Sequence, residues 1–89
     1  MIPVPMLPDE IISVDEAAHR AHKCTKTIRR YCEQDGIGRQ ARRGGALQVS
    51  AVALEMRINN DDVALELLRE NRRNEPLVLF YLNRVGVMP

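Results

Sequence analysis

Apolar positions along this chain follow two rhythms, and the places where one gives way to the other mark out the elements. Pro3, Pro5 and Pro8 interrupt the first ten residues, and proline fixes φ and removes a donor, so residues 1–10 read as an extended arm. Ser13-Val14-Asp15-Glu16 then has the S-x-x-E form of a capping box, with acids in the first turn where the helix dipole favours them. Val14, Ala17, Ala18 and Ala21 follow at helical spacing, and their small side chains suit close approach of a second helix. The pattern breaks at His22-Lys23-Cys24 and restarts at Thr25. There Ile28, Tyr31 and Cys32 form an inward face, opposite Thr25, Lys26, Arg29 and Arg30, until Gly36 and Gly38 stop the helix.

From Gly38 the period changes to two. Gly44-Gly45 is a hairpin-turn signal, and Leu47 and Val49 alternate with Ala46 and Gln48 as in a half-buried strand. A short β-hairpin with a basic first strand and tip is predicted. Ser50 caps a third helix spanning Val52, Ala53, Met56 and Arg57. Asn59-Asn60-Asp61-Asp62 ends it and caps a fourth, whose apolar stripe is Val63, Ala64, Leu67 and Leu68. An Asn74 cap, Pro76 and a terminal Arg84 point to a final helix, although periodicity alone also allows a strand over Leu77–Leu82.

Composition changes the picture little. Aromatics are only 3% of 89 residues and Trp is absent, so the core must come from Ala, Val, Ile and Leu. One small domain is expected, with no apolar run near the roughly 18 residues of a bilayer span and no basic leader ahead of Asp9 and Glu10. A cytoplasmic protein without membrane attachment follows as the expectation. Cys24 and Cys32, eight apart within a mostly helical segment, are separated by about 12 Å of rise, beyond the reach of a disulfide. A zinc set of His19, His22, Cys24 and Cys32 matches no common finger spacing, so two buried or inert thiols are expected and no metal.

Charge changes it more. Net charge is only +1, but Ala17 to Val49 carries eight basic residues (Arg20, Lys23, Lys26, Arg29, Arg30, Arg39, Arg42, Arg43) against Glu33 and Asp35. From Ser50 onward five Arg face six acids. One third of the chain is therefore a concentrated basic surface, the electrostatic footprint of a nucleic-acid binder. Helix, turn, Arg-rich helix, basic hairpin, helix is an order that offers one helix to a major groove and a ribbon to phosphates. Thr25, Lys26, Thr27, Arg29 and Arg30 on the helix, with Arg39, Gln40, Arg42 and Arg43 on the hairpin, are the candidate DNA contacts.

Residues Ile12 to Met56 resemble the winged helix-turn-helix shared by MerR-type regulators and small excisionases, also called recombination directionality factors. The resemblance lies in Ser13-Val14-Asp15-Glu16-Ala17-Ala18, Thr27-Ile28-Arg29-Arg30-Tyr31, Gly36-Ile37 and Gly44-Gly45-Ala46-Leu47-Gln48-Val49-Ser50. The chain departs from the family pattern at Ala21, where a Leu is usual, and at His22-Lys23-Cys24, where a Gly-apolar-Ser turn is usual. The chain is too short for the dimerisation helix and effector domain of a MerR activator, which favours the excisionase branch; the likeness is nearest to the group encoded on rhizobial integrative elements. The resemblance implies a mainly α fold with a small β-hairpin wing over residues 11–58, followed by C-terminal helices over 59–89. It also implies double-stranded DNA at attachment-site or promoter repeats, an integrase partner and a homo-oligomer on DNA.

Enzyme readings find no support in the residues. His19 and His22 have no nucleophile with an oxyanion hole, there is no phosphate-cradling glycine loop, and neither H-E-x-x-H nor G-x-S-x-G occurs. Tyr31 reads as core rather than as a recombinase nucleophile, and Asp61-Asp62 as a cap rather than a metal pair. No catalytic residue and no cofactor are expected. A plain transcriptional regulator on the same fold and a protein-interaction module built on Leu77–Leu82 remain as alternatives. That last run is apolar on every side, so Leu77, Leu79, Phe80 and Tyr81 are candidates for oligomerisation, with completion of the monomer core as the competing reading.

Overall fold

The computed structural model describes residues 3–40 and 44–86. Five α-helices and a three-stranded antiparallel sheet are formed among them: β1 (Ile11–Ile12), α1 (Val14–Ala21), α2 (Thr25–Asp35), β2 (Gly38–Gln40), β3 (Leu47–Ser50), α3 (Ala51–Ile58), α4 (Asp62–Arg69) and α5 (Pro76–Arg84). The sheet order is β1-β3-β2. The hairpin pairs Gly38 with Val49, Arg39 with Gln48 and Gln40 with Leu47. No helix among the described residues is long and apolar enough to cross a membrane.

The caps fall close to their sequence signals. Ser13 Oγ accepts from Glu16 N at 3.0 Å, Ser50 Oγ from Ala53 N at 3.1 Å, and Asp61 Oδ1 from Ala64 N at 3.0 Å. The expected capping box is only half made, because the Glu16 carboxylate pairs with Arg20 Nε at 3.0 Å instead of reaching back. The turn between α1 and α2 takes its shape from His22, which sits in the left-handed region at φ 55°, while Lys23 N bonds back to Ala18 O. Helix α2 ends at Gly36, also left-handed at φ 68°. Helix α5 starts one residue later than its Asn74 signal, with Glu75 as N-cap and Pro76 at its first position.

One apolar cluster draws residues from all five helices, from β3 and from the segments before β1 and β2. It joins Val4, Val14, Ala17, Ile28, Ile37, Val49, Val52, Leu54, Met56, Leu65, Leu68, Val78 and Leu82. Three expectations are corrected by it. On α4, Val63 is 65% exposed and Leu65 is buried in its place, because the helix is packed from two sides by α3 and α5 and the buried face turns toward both. The residues before β1 do not form a wholly extended arm. Pro8–Glu10 is a 3-10 turn, Ile11-Ile12 pairs with β3, and Val4 is buried with its N–H bonded to Gly36 O. Tyr81, expected at an oligomer surface, is buried with its hydroxyl donating to Asp61 Oδ2 at 2.9 Å. The final helix packs one face, through Val78, Tyr81 and Leu82, and leaves Phe80 54% exposed, with Leu77 and Leu79 half-buried.

A buried ion pair fastens the N-terminal segment. Glu10 is fully buried; its two oxygens accept from Arg73 Nη1 and Nη2 at 2.5 and 2.8 Å, and Oε1 also accepts from Leu7 N. Arg73 donates further to Pro5 O. The two charges lie 63 residues apart in sequence, and their bidentate geometry satisfies donors and acceptors that burial would otherwise strand.

Candidate nucleic-acid interface

Helix α2 presents its polar side because Ile28 and Cys32 are buried on the other. At 3.6 residues per turn, Lys26, Arg29, Arg30 and Glu33 share an arc of about 100°. All four are exposed, and they line a shallow concavity of about 510 Å³ together with Thr27. A second groove of about 480 Å³ runs between α2 and the hairpin, lined by Arg29, Cys32, Glu33, Gly38, Gln40 and Leu47. The two concavities share Arg29 and Glu33, so helix and hairpin form one continuous relief.

Other predicted residues are distributed around it. Arg39 and Gln40 are exposed on β2, and Gln40 Nε2 donates to Gly45 O at 3.3 Å, bracing the hairpin turn. Thr25 and Thr27 are half-buried at the start of α2. Thr27 is engaged locally, its hydroxyl 3.2 Å from Cys24 Sγ. Arg42 and Arg43 lie outside the described residues. Among the described residues, none of Lys26, Arg29, Arg30 and Arg39 is held in an ion pair.

The expectation of two inert thiols holds for one of them. Cys32 is buried, and burial, assisted by the Glu33 charge, pushes its thiol up to about 11. Cys24 is exposed at the N-cap of α2; the hydrogen bond with the Thr27 side chain, then those with the backbone of Thr27 and Lys26, hold its thiol below the ordinary range.

Three features that position this surface were not read from the sequence. Gly38 starts β2 where a Cβ would stand 2.5 Å from Cys32 Sγ and 2.8 Å from Gln48 O, so only glycine lets the hairpin lie this close to α2. Its signal was present, as a second glycine beyond the one needed to end the helix. The C-terminus of α2 is held by two arginines from distant elements. Arg69 Nη2 donates to Asp35 O at 2.7 Å, and Arg57 Nε lies 2.9 Å from Asp35 Oδ2 in a charge contact whose angles miss those of a hydrogen bond. Both cations sit at the negative end of the helix dipole. Arg57 also stacks over the Tyr31 ring at 4.9 Å, which makes half-buried Tyr31 a second point of attachment. No local pattern signals these contacts. No protein-family model, no curated protein and no solved structure matches this chain.

Proposed function

We propose that this protein is a winged helix-turn-helix factor that binds double-stranded DNA in a sequence-specific manner and promotes integrase-mediated excision of a mobile element. The observation that carries the DNA reading is the set of exposed cations along one side of α2, Lys26, Arg29 and Arg30, which have no carboxylate partner among the described residues and line its concavity, Arg29 also lining the groove beside the hairpin; Arg39 adds an exposed, unpaired charge on β2. In this reading α2 enters the major groove, where Arg29 and Arg30 reach guanine edges or phosphates, and the hairpin acts as the wing that holds the backbone. The excision role rests on the family resemblance of Ser13–Ala18, Thr27–Tyr31 and Gly44–Ser50.

Such a protein makes and breaks no bonds. It supplies binding energy to hold DNA bent, a deformation costing a few kcal/mol that adjacent protomers can share. Phe80, with Leu77 and Leu79, is the apolar surface offered for contact between protomers. Footprinting on attachment-site DNA, with and without the integrase, tests the proposal. Protection of repeated sites, together with integrase-dependent excision that needs this protein, is the expected result. Protection of a promoter with no effect on excision would leave a transcriptional regulator. Absence of duplex binding would remove the DNA reading altogether.

A further inference from the structure

Glu33 is the one acid on the cationic arc of α2, and nothing within the fold accounts for it. It is exposed, and no described cation pairs with it, although Arg29 and Arg30 stand four and three residues before it. That order, with the base N-terminal to the acid, is the weaker one for a helix ion pair. Glu33 also occupies the last turn of α2 (Thr25–Asp35), where the helix dipole disfavours negative charge. Asp35, two residues on, is offset by Arg57 and by Arg69 at its carbonyl, whereas Glu33 is not. The residue nonetheless lines both concavities of the surface.

A carboxylate there repels phosphate, so for a polyanion held by charge alone it is a defect. Base edges change the balance. A carboxylate accepts from the N4 amino group of cytosine; at adenine the N6 donor stands beside the N7 lone pair, which repels the second carboxylate oxygen, and the N7 and O6 of guanine and the O4 of thymine offer it no donor, while guanidinium groups donate to guanine. We infer that Glu33 is a specificity-determining residue, which selects a cytosine a short distance from the guanine contacted by Arg29 or Arg30 and weakens binding to every other duplex. Arg29 and Glu33 are separated by one helical turn, a rise of about 6 Å. At about 3.4 Å per base along a strand, the two selected positions lie about two steps apart. The inference rests on the double-stranded DNA reading above, and gives it a sequence preference.

Binding-site selection from a random duplex library by the full-length protein tests it, repeated with Glu33→Gln and Glu33→Ala. The unaltered protein is expected to enrich sites with a cytosine about two steps from a guanine. With Glu33→Gln that position moves from cytosine toward adenine, which glutamine pairs on its N6 and N7, and affinity for unrelated duplex rises. With Glu33→Ala the preference at that position disappears, and discrimination between selected and unrelated duplex falls by roughly five- to 150-fold. Enriched sites lacking that cytosine, or variants that keep both the base preference and the discrimination of the unaltered protein, would overturn the inference while leaving DNA binding intact. No enrichment by the unaltered protein would overturn the DNA reading itself, and this inference with it.

Discussion

The arginines beyond Ser50 and those on α2 and β2 are used in opposite ways. Beyond Ser50 every arginine is engaged: Arg57 with Asp35, Arg69 with Glu66, Arg72 with Glu75, Arg73 with Glu10 and Arg84 with Glu55. On α2 and β2, Arg29, Arg30 and Arg39 are exposed and form no ion pair among the described residues. Composition alone treats these as the same residue type at similar density. The difference lies in what surrounds them, and it separates cations that hold the fold from cations available to a ligand. Arg57 and Arg69 link the two sets, because the paired set grips the end of the helix that carries the unpaired one.

The contrast is tested hardest at Arg73. Arg73→Ala leaves the fully buried Glu10 carboxylate without its partner, and a loss of about 3–5 kcal/mol in urea unfolding is expected. A loss under about 1 kcal/mol, the size typical of an exposed pair, would place Arg73 with the surface cations instead.

Gly38→Ala is expected to cost about 1–3 kcal/mol in the same measurement, since the new methyl group meets Cys32 Sγ and the Gln48 carbonyl. Gly44→Ala gives a partial control: its Cβ meets nothing within 4 Å, so only the strain of its φ of 75° is added.

The other side of the comparison predicts binding without stability. Arg29→Ala and Arg30→Ala should each weaken specific DNA binding by about 1–3 kcal/mol, while unfolding free energies stay within about 0.5 kcal/mol of the parent. Arg39→Ala should flatten the plot of log affinity against log salt by about 0.9, the signature of one lost phosphate contact. If all three variants bind as the parent does, α2 and the hairpin are not the DNA surface. Unfolding of the arginine variants would instead place these side chains among the structural ones.

The smallest effect concerns the two thiols, one exposed at the N-cap of α2 and one buried near its C-terminal end. Cys24 should be alkylated rapidly near pH 8 in the native protein, and Cys32 only on unfolding. Because Cys32 is raised to about 11 in the folded state, its contribution is complete below the ordinary thiol value of 9.0 and is lost as pH rises through about 11. Stability measured across that window should fall in the parent and fall less in Cys32→Ala. Equal slopes would show that Cys32 is not the titrating group.

Local rules made much of the fold legible. Caps at Ser13, Ser50 and Asp61, the stop at Gly36 and the alternation through Leu47 and Val49 are short-range chemistry, and the structure places them within a residue of their signals. The exposed face of α2 was legible for the same reason, because burial of Ile28 and Cys32 leaves Lys26, Arg29 and Arg30 nowhere to go but outward. The final helix was legible as a helix but not in its orientation. Six consecutive apolar residues carry no periodicity, so only docking against α3 and α4 could decide that Val78, Tyr81 and Leu82 face inward and Phe80 outward.

What the sequence determined by itself is therefore the set of elements, their ends, and the segment in which positive charge accumulates, since each of these is written in neighbours a few residues apart. Tertiary structure alone decided which charges remain free. Glu10 and Arg73, Asp35 and Arg57, Glu55 and Arg84 meet across 63, 22 and 29 positions of chain. Whether two opposite charges pair depends on the path of the backbone between them, and that path is fixed by packing of the core rather than by either charge. Val63 and Leu65 show the same division at a smaller scale: both are apolar and both sit on α4, and the placement of α3 and α5 chose which one to bury.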